Sequence, residues 1–262
     1  MTGIYEKVAD IKAAGETVAF CVIVSASGST PRGPGSKMLV YPDGSFEGTV
    51  GGGELEQRVI EAAVQSIKDG KPQMISYQMS DPERGDPGVC GGQLEVYVEP
   101  ILPQPTLIVI GAGHVGREVA ELAHWLDFRV IISDDREELL EGDLFESFDQ
   151  VHHGTISELI EQIRIHPQTY MILTTRNVEV DVAGLPAILA SKAAYVGVIG
   201  SRRRWATTVK ELKALGVSED QLDEVYSPVG LELEAETPKE IAVSIMAQVI
   251  MVRNGGHGRS MA

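Results

Sequence analysis

The chain predicts an α/β fold, a Rossmann-like parallel-sheet domain preceded by a small α+β domain. Three observations predict it. After residue 105, strand-type and helix-type segments alternate, which is the pattern of βαβ units and a parallel sheet. The run T-L-I-V-I-G-A-G-H-V-G at Thr106–Gly116 sets G-x-G-x-x-G directly behind an apolar strand. Between Glu99 and Pro105 stand Pro100, Pro103 and Pro105, which suit neither a helix interior nor a central strand. That stretch reads as a semi-rigid linker between a first domain of residues 1–99 and a second of residues 106–262.

In the first domain Val18–Ala26 is an apolar, β-branched run suited to a buried strand. Lys37–Tyr41 and Ser45–Val50, joined by Pro42-Asp43-Gly44, predict a hairpin. Glu54–Lys68 places Leu55, Val59, Ala62, Ala63 and Ile67 on one helical face and meets Gly70 just past its end. Strands are expected at Met74–Met79 and Leu94–Val98. In the second domain they are expected at Thr106–Ile110, Arg129–Ser133, Tyr170–Thr175 and Tyr195–Ile199. Helices are expected between them at His114–Leu126, Ser157–Ile165, Asp181–Lys192 and Arg202–Leu215. A last helix starts at Thr237 as N-cap, with Pro238 in the first turn and Glu240 closing a capping box, and stops at Gly255-Gly256.

Composition narrows the function classes. With 22 basic against 38 acidic residues the chain carries a formal charge of −16, which argues against nonspecific binding to nucleic acid or anionic membrane. A site for a phosphorylated ligand must then be locally positive. The two cysteines, Cys21 and Cys90, form neither a disulfide framework nor a zinc-binding spacing. The first ten residues lack the apolar run of a signal peptide. The apolar stretch Ile241–Val252 is interrupted by Ser244 and Gln248 and falls short of the roughly 20 residues a span requires. A soluble, cytoplasmic protein is expected, without a membrane segment.

The second glycine turn fits a dinucleotide pattern. Gly111 permits the tight turn, Gly113 lets backbone approach a pyrophosphate, and Gly116 lets helix and strand pack closely. The next strand ends in Ser133-Asp134-Asp135, about 20 residues on, where an acid accepts ribose hydroxyls. Arg136 could admit a 2′-phosphate or be a solvated charge. The residues leave open an NAD(P)-type nucleotide site and a Rossmann domain that no longer binds nucleotide. A hydride-transfer enzyme also needs an acid–base partner. His152-His153 reads as a solvated loop pair, His166 lies in no recognisable catalytic setting, and the side chain of His114 is expected to point along its helix. No catalytic constellation is visible.

The first domain collects its unusual residues in three pieces. Ser27–Lys37 is a glycine- and proline-punctuated loop whose cations are Arg32 and Lys37. Gly51-Gly52-Gly53 opens the helix at Glu54, so several N–H donors are expected to point at one spot. Gly88–Gly92 leaves the Cys90 thiol little side-chain cover. Two glycine turns thus offer backbone N–H groups to an anionic ligand, or to two parts of one ligand. Cys21 sits mid-strand among Phe20, Val22 and Ile23 and reads as a packed core thiol.

In order, these pieces resemble the XdhC/CoxI family, accessory proteins of xanthine dehydrogenase and related molybdenum hydroxylases. The matching segments in the first half are Gly28–Val40, Asp43–Glu56 and Cys90–Pro100. In the second half they are Val109–Gly116, Tyr195–Arg204 and Pro228–Ile245. The resemblance implies a non-enzymatic chaperone that binds molybdenum cofactor (molybdopterin carrying the metal) and shields it. It further implies support for exchange of the terminal oxo ligand for sulfido, with a cysteine desulfurase as a further partner, and hand-over to a xanthine dehydrogenase-type apo-molybdoenzyme. Dimers are usual in the family. Residue by residue it points to Ser29, Arg32, Gly51, Gly52, Gly53, Glu54 and Cys90 in the first domain. In the second it points to Gly111, Gly113, His114, Gly116, Asp134, Asp135, Ser201, Arg202 and Arg203. The chain departs from the family pattern at Arg176-Asn177, where Gly-His is frequent, and at Leu233-Glu234, where Ile-Gly is frequent. The rival readings are an NAD(P)-dependent oxidoreductase with the first domain as substrate cap, and a non-catalytic nucleotide-binding scaffold for a molybdoenzyme.

Overall fold

Alternation along β1 (Val18–Ser27) organises the first half of the chain. Val18 and Phe20 turn to one face of a sheet, while Ala19, Cys21 and Ile23 turn to the other, as the period-two geometry of a strand requires. In the computed structural model the chain forms two units, Met1–Pro103 and Gln104–Ala262. The structure describes residues 3–78 and 92–261.

In the first unit β2 (Lys37–Val40), β3 (Phe46–Gly48), β4 (Gln73–Gln78) and β5 (Gln93–Ile101) join β1 in the order β3-β2-β1-β5-β4, every neighbouring pair antiparallel. Helix α1 (Ile4–Ala13) covers one face through Ile11 against Val18 and Leu39. The sequence reading contains no helix there. Helix α2 (Gly53–Asp69) covers the other through Leu55, Val59 and Ala63 against Cys21, Met38 and Val96. Strand β5 runs three residues into the stretch expected to be linker, because Glu99, Pro100 and Ile101 pair with Phe20, Ala19 and Val18. Pro100 is tolerated because β4 stops pairing at Gln73 opposite Val98, so the missing N–H falls on an edge.

The second unit is a six-stranded parallel sheet. Its strands are β6 (Thr106–Ile110), β7 (Arg129–Asp134), β8 (Gln150–His153), β9 (Thr169–Leu173), β10 (Tyr195–Val198) and β11 (Val225–Tyr226), in the order β11-β10-β9-β6-β7-β8. Every residue of β6 and β9 is buried, the mark of a sheet covered on both faces. Leu107 and Val109 pack with α3 (His114–Trp125) and α8 (Pro238–Asn254). Ile108 and Ile110 pack with α4 (Ile156–Gln162), α5 (Val178–Leu189) and α6 (Arg202–Ala214), and a short α7 (Glu219–Asp223) precedes β11.

Caps decide the helix ends. The Thr237 hydroxyl accepts from the Glu240 amide and Glu240 accepts from the Thr237 amide, as the sequence predicts. Helix α5 begins at Val178, ahead of the expected Asp181, because the Asn177 side chain accepts from the Val180 amide at 3.1 Å. Asp181 is then free to turn inward. No helix among the described residues is long and apolar enough to cross a membrane.

Candidate functional site

Between β6 and β9 the chain switches from building outward in one direction to building in the other. In open α/β sheets ligands bind beyond the carboxyl ends of the strands at such a point. The loop after β6 is braced there. The Gly111 amide donates to the Ser133 carbonyl at 2.7 Å, and Thr174 Oγ1 donates to the Gly111 carbonyl at 2.7 Å. Arg117 donates from Nε to the Ala112 carbonyl at 2.9 Å and from Nη2 to that of Leu139 at 2.7 Å.

The three glycines are glycine for different reasons. Gly111 has φ +112°, and a Cβ there would meet the Thr174 carbonyl oxygen at 2.7 Å. A Cβ on Gly116 would strike the Gly111 carbonyl oxygen. Gly113 has an ordinary φ of −70°, and an added Cβ meets no atom within 4 Å. Neither backbone conformation nor packing requires glycine at 113, so the residue leaves an open cradle at the start of α3. His114, the first residue of α3, is exposed.

The acid expected to receive ribose hydroxyls is already engaged. Asp134, 4% exposed, accepts from the Ala112 amide at 2.8 Å. It also accepts from the Arg136 amide at 3.0 Å, Nε at 2.9 Å and Nη2 at 3.0 Å. A carboxylate this buried needs donors close by, and Arg136 supplies them as a two-pronged fork; Arg136 is therefore not a solvated charge. Asp135 is held by Arg176 through two bonds of 2.5 and 2.7 Å. The Arg176 guanidinium, working against some desolvation, lowers the Asp135 carboxyl to about 2.

Beside this charged rim lies a pocket of about 300 Å³. Ile110, Ile156, Val180 and Ala183 form its apolar wall, and Thr155, Ser157 and Asn177 add polar groups. The histidine pair is not a loop: it closes β8, and His152, 6% exposed, pairs its Nδ1 at 3.0 Å with Oγ of Ser133, a residue that lines the pocket. Burial, opposed by the charge of Glu158, pushes the His152 imidazole below its ordinary value.

Of the S-R-R-R segment, Ser201 is a helix cap, its Oγ accepting from the Arg204 amide at 3.2 Å. Arg202 and Arg203 are exposed on the first turn of α6. The inward residue is Arg204, which donates to the Thr175 carbonyl at 3.0 Å, the Asn177 carbonyl at 3.0 Å and Asp181 Oδ2 at 2.6 Å. Asp181 has no exposed surface. Burial raises its carboxyl above the ordinary range although Thr175 and Arg204 both donate to it. The ion pair ties α6 to α5, and the two carbonyl contacts tie it to the loop that carries Arg176.

In the first unit the structure brings the glycine pieces together. A Cβ on Gly51 would meet Pro31 Cγ at 2.6 Å, and one on Gly92 would strike the Ser29 carbonyl, so the Ser27–Lys37 loop packs on both. Ser29 and Arg32 are exposed. The expectation of open donors at Gly51–Gly53 is corrected. Glu56 Oε1 accepts from the amides of Gly52 at 2.9 Å, Val50 at 3.2 Å and Gly51 at 3.3 Å, and from the Thr49 hydroxyl. The turn is an oxyanion cradle filled by the chain's own carboxylate. Burial resists ionisation of Glu56, but these donors outweigh it and hold the carboxyl below its ordinary range. Gly52 and Gly53 are required by positive φ, +85° and +64°. Glu54 pairs instead with Arg58 one turn along α2. Cys90 lies outside the described residues. Cys21 is fully buried, and desolvation pushes its thiol up to about 12, as suits a core residue.

Of the residues that sequence reasoning passed over, Arg176, Asp181 and Arg204 act through partners distant in the chain, and Glu56 acts through the turn just before it. Only Glu56 had a local signal, a second acid one turn beyond the glycine run. Among the described residues no group of three or more His, Cys, Asp or Glu side chains is placed to hold a metal ion.

Comparison with known proteins agrees with this layout. Residues 107–249 match the family described as XdhC Rossmann domain, and residues 11–78 match the XdhC and CoxI family. The chain is 34% identical over 247 residues to the Escherichia coli protein "Uncharacterized protein YqeB", covering 93% of this chain and 45% of that protein. It is 30% identical over 158 residues to a Bacillus subtilis protein named as a probable subunit of xanthine dehydrogenase, covering 60% of this chain and 46% of that protein. The chain thus spans about half the length of these two relatives. With "Molybdenum cofactor insertion chaperone PaoD" of E. coli it shares 23% identity, over 91% of this chain and 84% of that protein. A crystal structure described as a xanthine dehydrogenase from Bacillus halodurans superposes with a TM-score of 0.53 at 20% identity, covering 97% of each chain. That likeness shows a shared fold.

Proposed function

The chain belongs to the XdhC/CoxI family, and from that premise we propose that it is a maturation factor that carries molybdenum cofactor to a xanthine dehydrogenase-type apo-molybdoenzyme. It shields the cofactor and supports its sulfuration before insertion, with a cysteine desulfurase and a second copy of the chain as further partners. The cargo is a phosphate-bearing pterin dithiolene holding the metal, and the redox chemistry it supplies belongs to the client.

The observation that carries this reading is the open cradle at Gly113. Glycine there is needed neither by φ nor by packing, and Gly111 of the same loop lines a pocket with cationic side chains on its rim. Such a donor set suits a phosphate group. We assign cargo contact to Gly111, Gly113, His114 and Gly116, with Asp134 and Asp135 holding the arginines in place and Ser201, Arg202 and Arg203 at the start of α6. In the first unit the assignment takes in the exposed Ser29 and Arg32, together with Cys90 from the sequence resemblance; Gly51–Gly53 and Glu54 drop out, since Glu56 takes the Gly51 and Gly52 amides and Arg58 takes Glu54. The test is activation of a purified apo-hydroxylase by cofactor-loaded protein. Activation by the wild type and its loss in Gly113→Val supports the reading, and activation by free cofactor at the same rate without the protein overturns it.

The dinucleotide alternative has one favourable observation, an acid at the end of β7. That acid is already saturated by Ala112 and Arg136. Calorimetry with NAD(H) and NADP(H) separates the two readings, because tight binding coupled to turnover of a small carbonyl compound supports the oxidoreductase.

A further inference from the structure

Two arginines face the pocket at the carboxyl edge of the second sheet, and they are held very differently. Arg136 is locked to Asp134, a carboxylate with 2% of its side chain exposed. Arg176 holds Asp135 with both side chains about two-fifths exposed, 42% and 36%. Asp135 directly follows β7, Arg176 stands shortly after β9, and β6 lies between those two strands. The Arg176–Asp135 pair therefore arches over the end of β6, across the mouth where Gly111 lines the pocket.

Solvent reaches both partners of this bridge and screens it, so an incoming anion of higher charge competes for the guanidinium. A guanidinium fork binds a phosphate bidentately at least as well as a carboxylate, and a phosphomonoester carries more charge than Asp135 does. On opening, Asp135 keeps a cation within reach, because Arg136 Nε lies 3.9 Å from its Oδ1. The released carboxylate is not left uncompensated beside the incoming anion. Behind the bridge the wall of Ile110, Ile156, Val180 and Ala183 offers an apolar slot. A volume of about 300 Å³ is at the lower bound for ligand pockets and holds half of a dinucleotide.

We infer that Arg176 and Asp135 form a displaceable clasp, and that the pocket takes a flat heteroaromatic ring bearing a phosphomonoester, with Arg176 exchanging Asp135 for the phosphate. Two sources share that chemistry, a mononucleotide and a pterin monophosphate; the second rests on the proposed cofactor carriage and the first does not. Arg176 is then a specificity determinant of this pocket.

The experiment is calorimetric titration of the full chain with AMP, neopterin monophosphate, their unphosphorylated parents and inorganic phosphate. One of the two monophosphates is expected to bind about 10–100-fold tighter than its parent, the worth of one charge-assisted contact, and tighter than inorganic phosphate. Arg176→Ala removes that preference, Arg176→Lys restores part of it, and Asp135→Asn tightens the monophosphate by removing its competitor. A win for AMP identifies the source as nucleotide, and a win for the pterin identifies it as cofactor. Equal binding of parent and monophosphate overturns the inference. So does an unchanged affinity in a folded Arg176→Ala protein, or inorganic phosphate binding as tightly as either ring compound. A protein that retains molybdenum and pterin on purification yet binds neither monophosphate refutes this inference and leaves cofactor carriage standing.

Discussion

Glu56 makes a sharp quantitative test, because one carboxylate oxygen closes the whole first glycine turn. It receives the Thr49 hydroxyl and the Gly52 amide at 2.9 Å, with longer contacts from Val50 at 3.2 Å and Gly51 at 3.3 Å. Two good bonds to a charged acceptor contribute about 1.5 kcal/mol each, and the two marginal ones add about 1 kcal/mol together. Glu56→Ala therefore costs about 4 kcal/mol. Glu56→Gln keeps an acceptor oxygen in place but loses the charge, which halves the bond strength and costs about 2 kcal/mol. For a unit of this size that is a fall in melting temperature of about 8–16 °C. The assay is scanning calorimetry of the full chain, repeated with sulfate against chloride at matched ionic strength. Sulfate is expected to raise the melting temperature of Glu56→Ala well above its effect on the wild type, by about 1.4 kcal/mol at ten times its dissociation constant. A Glu56→Gln protein melting within about 2 °C of wild type, or sulfate acting equally on Glu56→Ala and wild type, refutes the cradle.

Other perturbations separate scaffold from site. Gly116→Ala drives a methyl into the Gly111 carbonyl and is expected to give insoluble or partly unfolded protein by circular dichroism. Gly113→Ala meets open space and costs under about 1 kcal/mol in urea unfolding, the scale of a poorer cap. Asp181→Ala leaves Arg204 paired only with neutral groups and is expected to lose about 3–5 kcal/mol in the same assay. His152 has a folded-state pKa below its unfolded 6.5. Its contribution is full above pH 6.5 and is lost as the pH falls through the lower folded value, so melting temperature drops on acidification and drops less in His152→Asn. Asp135 is lowered from 3.8 to about 2, so by the same linkage the Arg176 clasp persists at pH 4 and opens only as the pH falls toward 2. NMR titration of the Asp135 carboxyl checks that window.

The sequence carried the architecture where local signals are strong. The strands β6, β7 and β10, the Thr237 cap and the glycine loop were readable because burial, capping and turn chemistry act within a few residues, whereas Ser201, expected at a ligand, caps α6. Helix α1 was missed because its cover of Val18 and Leu39 uses only Ile11 as a buried residue, too little for a periodic signal. Strand β8 was hidden by His152-His153, whose polarity is absorbed by a partner, Ser133, on a neighbouring strand. The site was readable as a place and not as a circuit. Glycines announced where backbone is exposed, but nothing in the pattern says that Asp134 spends its oxygens on Arg136, or that Arg176 reaches across β6 to Asp135. The departure at Leu233-Glu234 has a backbone counterpart: Glu234 sits at φ +52°, the left-handed region that glycine occupies at no steric cost.

Cofactor carriage is tested most directly by metal and pterin analysis of the protein purified anaerobically from a host that makes molybdenum cofactor. The account predicts molybdenum and pterin in comparable amounts per chain, both reduced in the Gly113→Val protein. Wild-type protein that retains neither, and takes up neither when offered free cofactor under the same conditions, contradicts it.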